Sequence, residues 1–393
     1  MLGFRGSFDF ANARQDARGM TGSEYGFLRL SEELADLGHE VHAYTLTKGS
    51  GTYRGIQTHQ WPGIWVHADG EPEHFVPEEI RVRDCDVVIS VNMPDELRGC
   101  TGLRVCLYWI NEFSICKVGF ENHVDLWCSP SKPHLDQVMN NPRWRHVDVS
   151  PTFPQGKAQY NPDPATWSVV PLGCDPEHYP QTTAKVPGRV VYCSSPDRGL
   201  HWLLQEWQAI KRAAPHASLR IFYRLQPWID GFKSVPYFPP IERLRARANY
   251  IEDALARMSD SKWGITVCDS VSRDEIEREM CEAEVLAYPC DTVAWSEGFS
   301  CTTLEGCAAR ACPVIMDCDA LGDIYRGSIC VAARGDVEAW RDHVIRMLTS
   351  KTEREQHQQR AVEFANAHTW RITAMRLMEQ IDKRMPKEEP DAA

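Results

Sequence analysis

Short, nearly continuous apolar runs alternate with stretches whose apolar residues recur every three or four positions, and this alternation limits the fold more than any other feature of the chain. Val41 to Leu46, Asp86 to Val91, Leu103 to Tyr108 and Asp125 to Ser129 read as strands in the first half. Arg189 to Cys193, Leu219 to Tyr223 and Ile265 to Cys268 do so in the second. A run that is apolar on both faces, such as Asp86-Val87-Val88-Ile89-Ser90-Val91, fits a parallel strand covered on each side by helices. Phe27, Leu30, Leu34 and Leu37 line one face of a helix that Ser23 can cap and Gly38 can end. Further helices are expected from about Leu200 to Ala214, from Arg273 to Cys281 behind a Ser272 cap, and from about Glu355 to Met385 through Trp370. The pattern is that of a doubly wound α/β protein. One strand is faint, because only Met1 to Phe10 is available ahead of the first helix. Residues Gln226 to Arg247, with Trp228, Tyr237 and Phe238, read as a less regular insertion, and Lys387 to Ala393 as a disordered end.

A chain of 393 residues exceeds what one compact core usually supports, so two domains are expected. The proline-rich, polar stretch from Ser150 to Ala165 approaches a boundary, and the linker falls near Val169 to Pro180. The divisions expected are 1–170, 171–354 and a helical tail, 355–386. No apolar run reaches the roughly 18 to 20 residues that a membrane span requires. Met1-Leu2-Gly3-Phe4-Arg5-Gly6 leads into polar sequence instead of a signal core, so a cytoplasmic protein is expected. The 15 cysteines include no Cys-x-x-Cys pair and several lie in or beside strand runs, which favours buried reduced thiols over a disulfide framework or zinc site.

The net charge of −12 gives no general attraction to phosphate-rich polymers. No basic run or long basic amphipathic helix announces a membrane surface, which leaves only a peripheral contact through exposed aromatics. A nicotinamide-dependent oxidoreductase would also be doubly wound. Its Gly-x-Gly-x-x-Gly turn comes after none of the strands, and Gly-x-x-x-x-Gly-Lys is absent too. His39-Glu40-Val41-His42 spaces its histidines three apart where a zincin helix needs four, and it enters a strand, so no metal site is expected there.

Ser296-Glu297-Gly298-Phe299-Ser300-Cys301-Thr302-Thr303-Leu304-Glu305 sets two glutamates eight residues apart across a loop-to-helix junction. If the helix starts near Cys301, Glu305 lies one turn inside it and Glu297 stays on the loop. The first amides of such a helix favour anions, whereas the two carboxylates favour hydroxyls. A sugar nucleotide offers both groups. By spacing alone, a surface helix with an acidic first turn explains the pattern as well.

With Val285-Leu286-Ala287-Tyr288-Pro289 before it and Pro313-Val314-Ile315 after it, this segment resembles the donor-site signature of GT4-type retaining glycosyltransferases. Gly22-Ser23-Glu24 with Gly38-His39-Glu40-Val41, Val169-Val170-Pro171-Leu172-Gly173-Cys174-Asp175, and Ser194-Ser195-Pro196-Asp197-Arg198-Gly199-Leu200 match the same family in the same order. The resemblance implies the GT-B fold: two facing Rossmann-like domains, the first on the acceptor side and the second binding the nucleotide sugar, with a C-terminal helix crossing back to the first.

It also implies roles for residues. Arg198 would meet the charge developing on the departing diphosphate, and Arg224 would add a second cation, since Ser194-Ser195-Pro196 stand where relatives carry an arginine. Glu297 would contact the donor sugar, and Gly298, Phe299 and Ser300 would lie along the sugar and diphosphate. Cys301 and Thr302 would present helix amides, Glu305 would hold the ribose hydroxyls, and the backbone near Val271 would grip the base. Gly22 and Ser23 would approach the diphosphate. Asn111, with Glu112 beside it, would face the acceptor. The implied reaction moves a sugar, most often a hexose, from a nucleotide-diphosphate sugar to a hydroxyl, with no cofactor and no essential metal. A GT-B epimerase or phosphorylase, or a degenerate sugar-nucleotide-binding module, remains open. So does the acceptor: a glycan, lipid-linked glycan, protein, small molecule or modified nucleobase.

Overall fold

The computed structural model describes residues 2–3, 8–46, 50–61, 66–68, 71–73, 85–110, 120–140, 146–147, 158–159, 161–234 and 241–385. The chain forms two compact units. The first comprises Met1–Asn12, Ser23–Leu172 and Trp370–Ala393, and the second comprises Ala13–Gly22 and Gly173–Thr369.

The first unit is built on β1 (Leu2–Gly3), β2 (His42–Thr45), β3 (Gly51–Tyr53), β4 (Ile56–Gln60), β5 (Val87–Val91), β6 (Leu103–Leu107), β7 (Leu126–Ser129) and β8 (Trp167–Val169). Their order is β8-β7-β6-β5-β1-β2-β4-β3, parallel except for the β3–β4 hairpin. The faint first strand is therefore present. Only two residues long, it pairs in parallel with β2 on one side and β5 on the other. Helix α1 (Gly22–Asp36) begins one residue before Ser23, which lies within the first turn and is not its cap. Its stop at Gly38 has the left-handed φ of +93° that glycine accepts. α2 (Lys132–Asn140) comes after β7. Trp127 and Trp167 stack in the core with ring centroids 5.1 Å apart.

The second unit runs through β9 (Arg189–Tyr192), α3 (Leu200–Ala213), β10 (Ser218–Ile221), α4 (Leu225–Ser234), α5 (Ile241–Arg257), β11 (Ile265–Val267), α6 (Arg273–Glu282), β12 (Val285–Tyr288), α7 (Cys301–Ala308), β13 (Pro313–Met316), α8 (Leu321–Tyr325), β14 (Cys330–Ala332), α9 (Val337–Thr349) and α10 (Lys351–Asn366). All six strands are parallel, in the order β11-β10-β9-β12-β13-β14. β12 and β13 are buried at every position, as continuous apolar runs between two helix layers should be. Residues 226–247 are more regular than expected: α4 and α5 occupy most of the segment, while Tyr237 and Phe238 lie outside the described residues. Pro227 sits in the first turn of α4, where a missing amide costs no helical bond.

The stretch 355–386 is not one helix. α10 belongs to the second unit, and the chain returns to the first at α11 (Trp370–Asp382). There Thr373 Oγ1 donates to Pro171 O at 2.8 Å and Ser168 Oγ to Gln380 Oε1 at 3.1 Å. No helix among the described residues is long and apolar enough to cross a membrane. Every described cysteine is free. His42, from the zincin-like tetrapeptide, ends on β2 with its ring stacked on His59 and bonded to it at 2.9 Å.

Candidate functional site

In the second sheet the strand order reverses between β9 and β12, since the chain moves outward to β10 and β11 and then returns to the other side of β9. The loops that leave the carboxyl ends of these two strands must diverge, and the crevice so opened is the natural ligand site of a doubly wound sheet. Residues 193–199 leave β9 and residues 289–300 leave β12. They carry the sequence-predicted pair, Arg198 and Glu297.

The two loops touch at Gly199, whose φ is +102°. A Cβ there would stand 1.8 Å from Pro289 O, so both the backbone angle and the space demand glycine. This close approach puts Arg198 Nη1 on Glu297 Oε2 as an ion pair, with Glu297 buried and Arg198 half-buried. The Glu297 charge raises the pKa of the Arg198 guanidinium far above its ordinary value against the opposing effect of burial, so the cation is fixed.

Glu297 is held on several sides. Tyr288, the last residue of β12, donates its hydroxyl to Glu297 Oε2 at 2.7 Å. Asp319 Oδ2 accepts the backbone amides of Ser296 at 2.8 Å and Glu297 at 3.0 Å, and the Thr292 hydroxyl at 2.8 Å. On the neighbouring strand Tyr192 donates to Ser195 O at 2.7 Å, so adjacent buried tyrosines brace one loop each. Burial pushes both phenol pKa values well up, which keeps the hydroxyls protonated as donors. Arg247 on α5 ties the loops together, donating to Asp197 O and Asp291 O, each at 2.5 Å, and to Asp291 Oδ2 at 2.5 Å.

α7 begins at Cys301, as the sequence predicts, directly after the loop that leaves the carboxyl end of β12, so its first turn lies at the same end of the sheet as the crevice. Ser300 caps it, accepting from Thr303 N at 3.2 Å from a left-handed backbone with φ of +72°. Thr302 Oγ1 donates across to Cys193 O at 3.2 Å, joining the helix start to the β9 loop. Phe299 is buried, its ring 6.2 Å from that of Tyr325. At Gly306 a Cβ would come within 2.5 Å of Leu286 Cδ2, so the helix lies directly on β12. Glu305 is only 4% exposed, which excludes the surface-helix alternative. Its Oε1 accepts from Arg273 Nη2 at 2.5 Å.

The remaining predicted residues divide. Val271 lies beside the segment that leads into Gly22: a Cβ on Gly19 would stand 3.0 Å from Val271 O. Arg224 is exposed in the loop after β10, and its guanidinium forms no ion pair among the described residues. Arg247 does reach both the β9 and β12 loops. Asn111 and Glu112 lie outside the described residues.

Several contributors escape a reading by spacing. Tyr288 carries a weak signal, being a hydroxyl at the end of an apolar strand. Arg273 carries a better one, since it stands directly after the Ser272 cap, where the helix dipole disfavours a cation. Arg247 and Asp319 carry none.

No protein-family model matches the sequence, and no curated protein sequence matches it significantly. Solved structures do match in shape. The sucrose-phosphate synthase of Thermosynechococcus elongatus superposes with a TM-score of 0.65 at 11% identity, covering 97% of this chain and 98% of that one. WaaG, a glycosyltransferase involved in lipopolysaccharide biosynthesis, does so at 0.62 and 14% identity, covering 97% and 98%. The Anabaena HepE protein, solved with UDP and glucose, superposes at 0.64 and 9% identity, again over 97% and 98%. The chain has the GT-B fold. Each of its two Rossmann-like units accounts for one of the large sheets, and the candidate site lies in the second.

Proposed function

We propose that this GT-B protein is a GT4-type retaining glycosyltransferase of the cytoplasm, which moves a sugar, most often a hexose, from a nucleotide-diphosphate sugar to a hydroxyl acceptor. One observation carries the reading: Arg198 and Glu297 meet at the strand-order reversal beside the amides of α7. A diphosphate placed there meets a fixed cation and a helix N-terminus. As the bond from the anomeric carbon to the β-phosphate oxygen breaks, negative charge grows on that oxygen, and Arg198 lowers the barrier by matching it. Glu297, oriented by Tyr288 and the Asp319-bound backbone, accepts hydrogen bonds from sugar hydroxyls. Glu305 does the same for the ribose, and the backbone near Val271 lies along the base. The acceptor hydroxyl attacks the anomeric carbon on the face from which the diphosphate leaves and gives its proton to the departing phosphate oxygen.

Arg198 and α7 perform the neutralisation that a divalent ion performs elsewhere, so turnover is expected to continue in chelator. Loss of activity in EDTA, restored by manganese or magnesium, would sink that claim. The deciding experiment incubates the purified protein with UDP-, GDP- and ADP-sugars and measures nucleotide release, first onto water and then onto acceptors drawn from glycans, lipid-linked glycans, proteins, small metabolites and modified nucleobases. Release from one donor class, rising with an acceptor, is the expected result. Isomerised sugar or dependence on free phosphate would replace it with an epimerase or phosphorylase. The absence of a cation in Ser194-Ser195-Pro196 favours one second reading, a sugar-nucleotide-binding protein without transfer, for which binding would occur and turnover would not.

A further inference from the structure

A second charged cluster of the same unit surrounds Glu305. Arg273 donates from Nη2 to Glu305 Oε1 at 2.5 Å and to the Tyr179 hydroxyl at 2.8 Å, and from Nε to Glu277 Oε1 at 2.8 Å. Glu277 and Glu305 are both buried. One guanidinium shared by two buried carboxylates leaves a negative charge that the interior does not tolerate. The second cation comes from far away in the chain. Arg14, in the short helix Ala13–Gln15, places Nη2 2.5 Å from Glu277 Oε2 and 2.9 Å from Asp274 Oδ1, with Nη1 3.2 Å from His178 Nδ1. The other oxygen of Glu305, Oε2, takes no hydrogen bond from any described residue.

We propose that Arg273 is a positioning residue that keeps Glu305 ionised and aims its second oxygen at a ligand diol, and that Arg14 secures this by taking up the charge of Glu277. The inference rests on the reading of Glu305 as the contact to the donor's ribose. A carboxylate accepts from both hydroxyls of a vicinal diol, whereas a protonated carboxyl has lost part of that capacity. Burial pushes the Glu305 carboxyl up and Arg273 opposes it, while Glu277 and Asp175 push it further up. His178, the Tyr179 hydroxyl and the thiols of Cys174, Cys193 and Cys301 complete the surroundings. Without Arg273 the carboxyl takes a proton at higher pH. With Arg14 removed, Glu277 competes for Arg273 and the same change occurs in smaller measure.

Two readouts on the full chain test this. The first is the affinity for uridine diphosphate, with guanosine and adenosine diphosphates in parallel, between about pH 6 and about pH 8. Arg273→Met is expected to lose roughly tenfold more affinity than the wild type on acidification, because its Glu305 carboxyl takes a proton at higher pH, and Arg273→Lys to recover most of it. Arg14→Met is expected to fall between. The second readout is thermal stability over the same range. A carboxyl whose folded pKa is raised stabilises the fold below its unfolded pKa and loses that contribution as pH rises. Arg273→Met should therefore gain stability relative to wild type as pH falls, and Glu305→Gln in the same background should abolish the gain. Identical pH profiles for Arg273→Met and wild type in both readouts would overturn the proposal. If the wild type binds no nucleoside diphosphate while the stability coupling appears, the glycosyltransferase reading fails and the assignment of Arg273 stands.

Discussion

Arg198 and Glu297 were singled out by a resemblance carried on short local motifs: a cation between strand and helix, and a glutamate ahead of a helix start. Their meeting depends on Gly199, which permits the two loops to touch. If Arg198 acts on the leaving group, Arg198→Ala should lower kcat by about two to three orders of magnitude while the donor Kd changes little. Arg198→Lys should restore part of the rate as a point charge without the two-pronged geometry. Single-turnover kinetics at saturating donor, beside a calorimetric Kd, separate the two effects. A loss confined to Kd would make Arg198 a uniform binding residue. Tyr288→Phe removes one donor to Glu297 and should weaken donor binding or turnover by about 1.5–3 kcal/mol, the scale of bonds to a charged group. Tyr288, Arg247 and Arg273 were less legible because their partners lie across the fold. Arg273 reaches Glu305 across 32 positions and Arg247 reaches Asp291 across 44, and no local spacing encodes either contact.

At the scale of elements, the periodicity located the buried strands well, because a strand covered on both faces leaves an unbroken apolar run. It did poorly where an element is short or carries a misleading residue. β1 has two residues and draws its stability from its neighbours on each side, which no pattern in its own sequence reveals. α4 was obscured by Pro227 and Gly231, although Trp228 and Phe232, one turn apart, pack with ring centroids 4.9 Å apart. α7 is the element on which the candidate site depends most. Ser300→Ala removes the acceptor for Thr303 N and should cost about 1 kcal/mol of stability, read as a shift in the denaturation midpoint. Gly306→Ala should cost roughly 1–3 kcal/mol by pressing a methyl group against Leu286 Cδ2 and Pro313 Cγ, because Leu286 is fully buried. An unchanged midpoint for Gly306→Ala would show that α7 can move away from β12.

For the whole molecule, the return of the chain to its first unit was legible only as a long helical pattern through Trp370, and the break between α10 and α11 was not. The break falls at a bridge between Cys174 and Thr369, where Cys174 N donates to His368 O at 3.0 Å, so the two ends of the segment Gly173–Thr369 close on each other. Helix α11, immediately beyond the break, belongs to the first unit. Trp370, Leu377 and Ile381 are buried there, and Trp370 fills the space above Gly26, where a Cβ would come within 2.9 Å of its ring. Truncation after Thr369 should thus damage one unit and spare the other. Each large apolar side chain removed costs about 1.5–3 kcal/mol of burial, so losing three exceeds much of what a single domain holds in reserve. Hydrogen exchange on the truncated chain should show lost protection in β5 to β8 and kept protection in β9 to β14. On the proposed reading, uridine diphosphate affinity rests on Glu305, Arg273 and α7 of the second unit, and it should stay within roughly threefold of wild type, as additivity of distant sites requires. Protection retained throughout the first sheet would mean that α11 is an accessory to that unit. Collapse of protection in both sheets together would mean that the two units stand or fall as one.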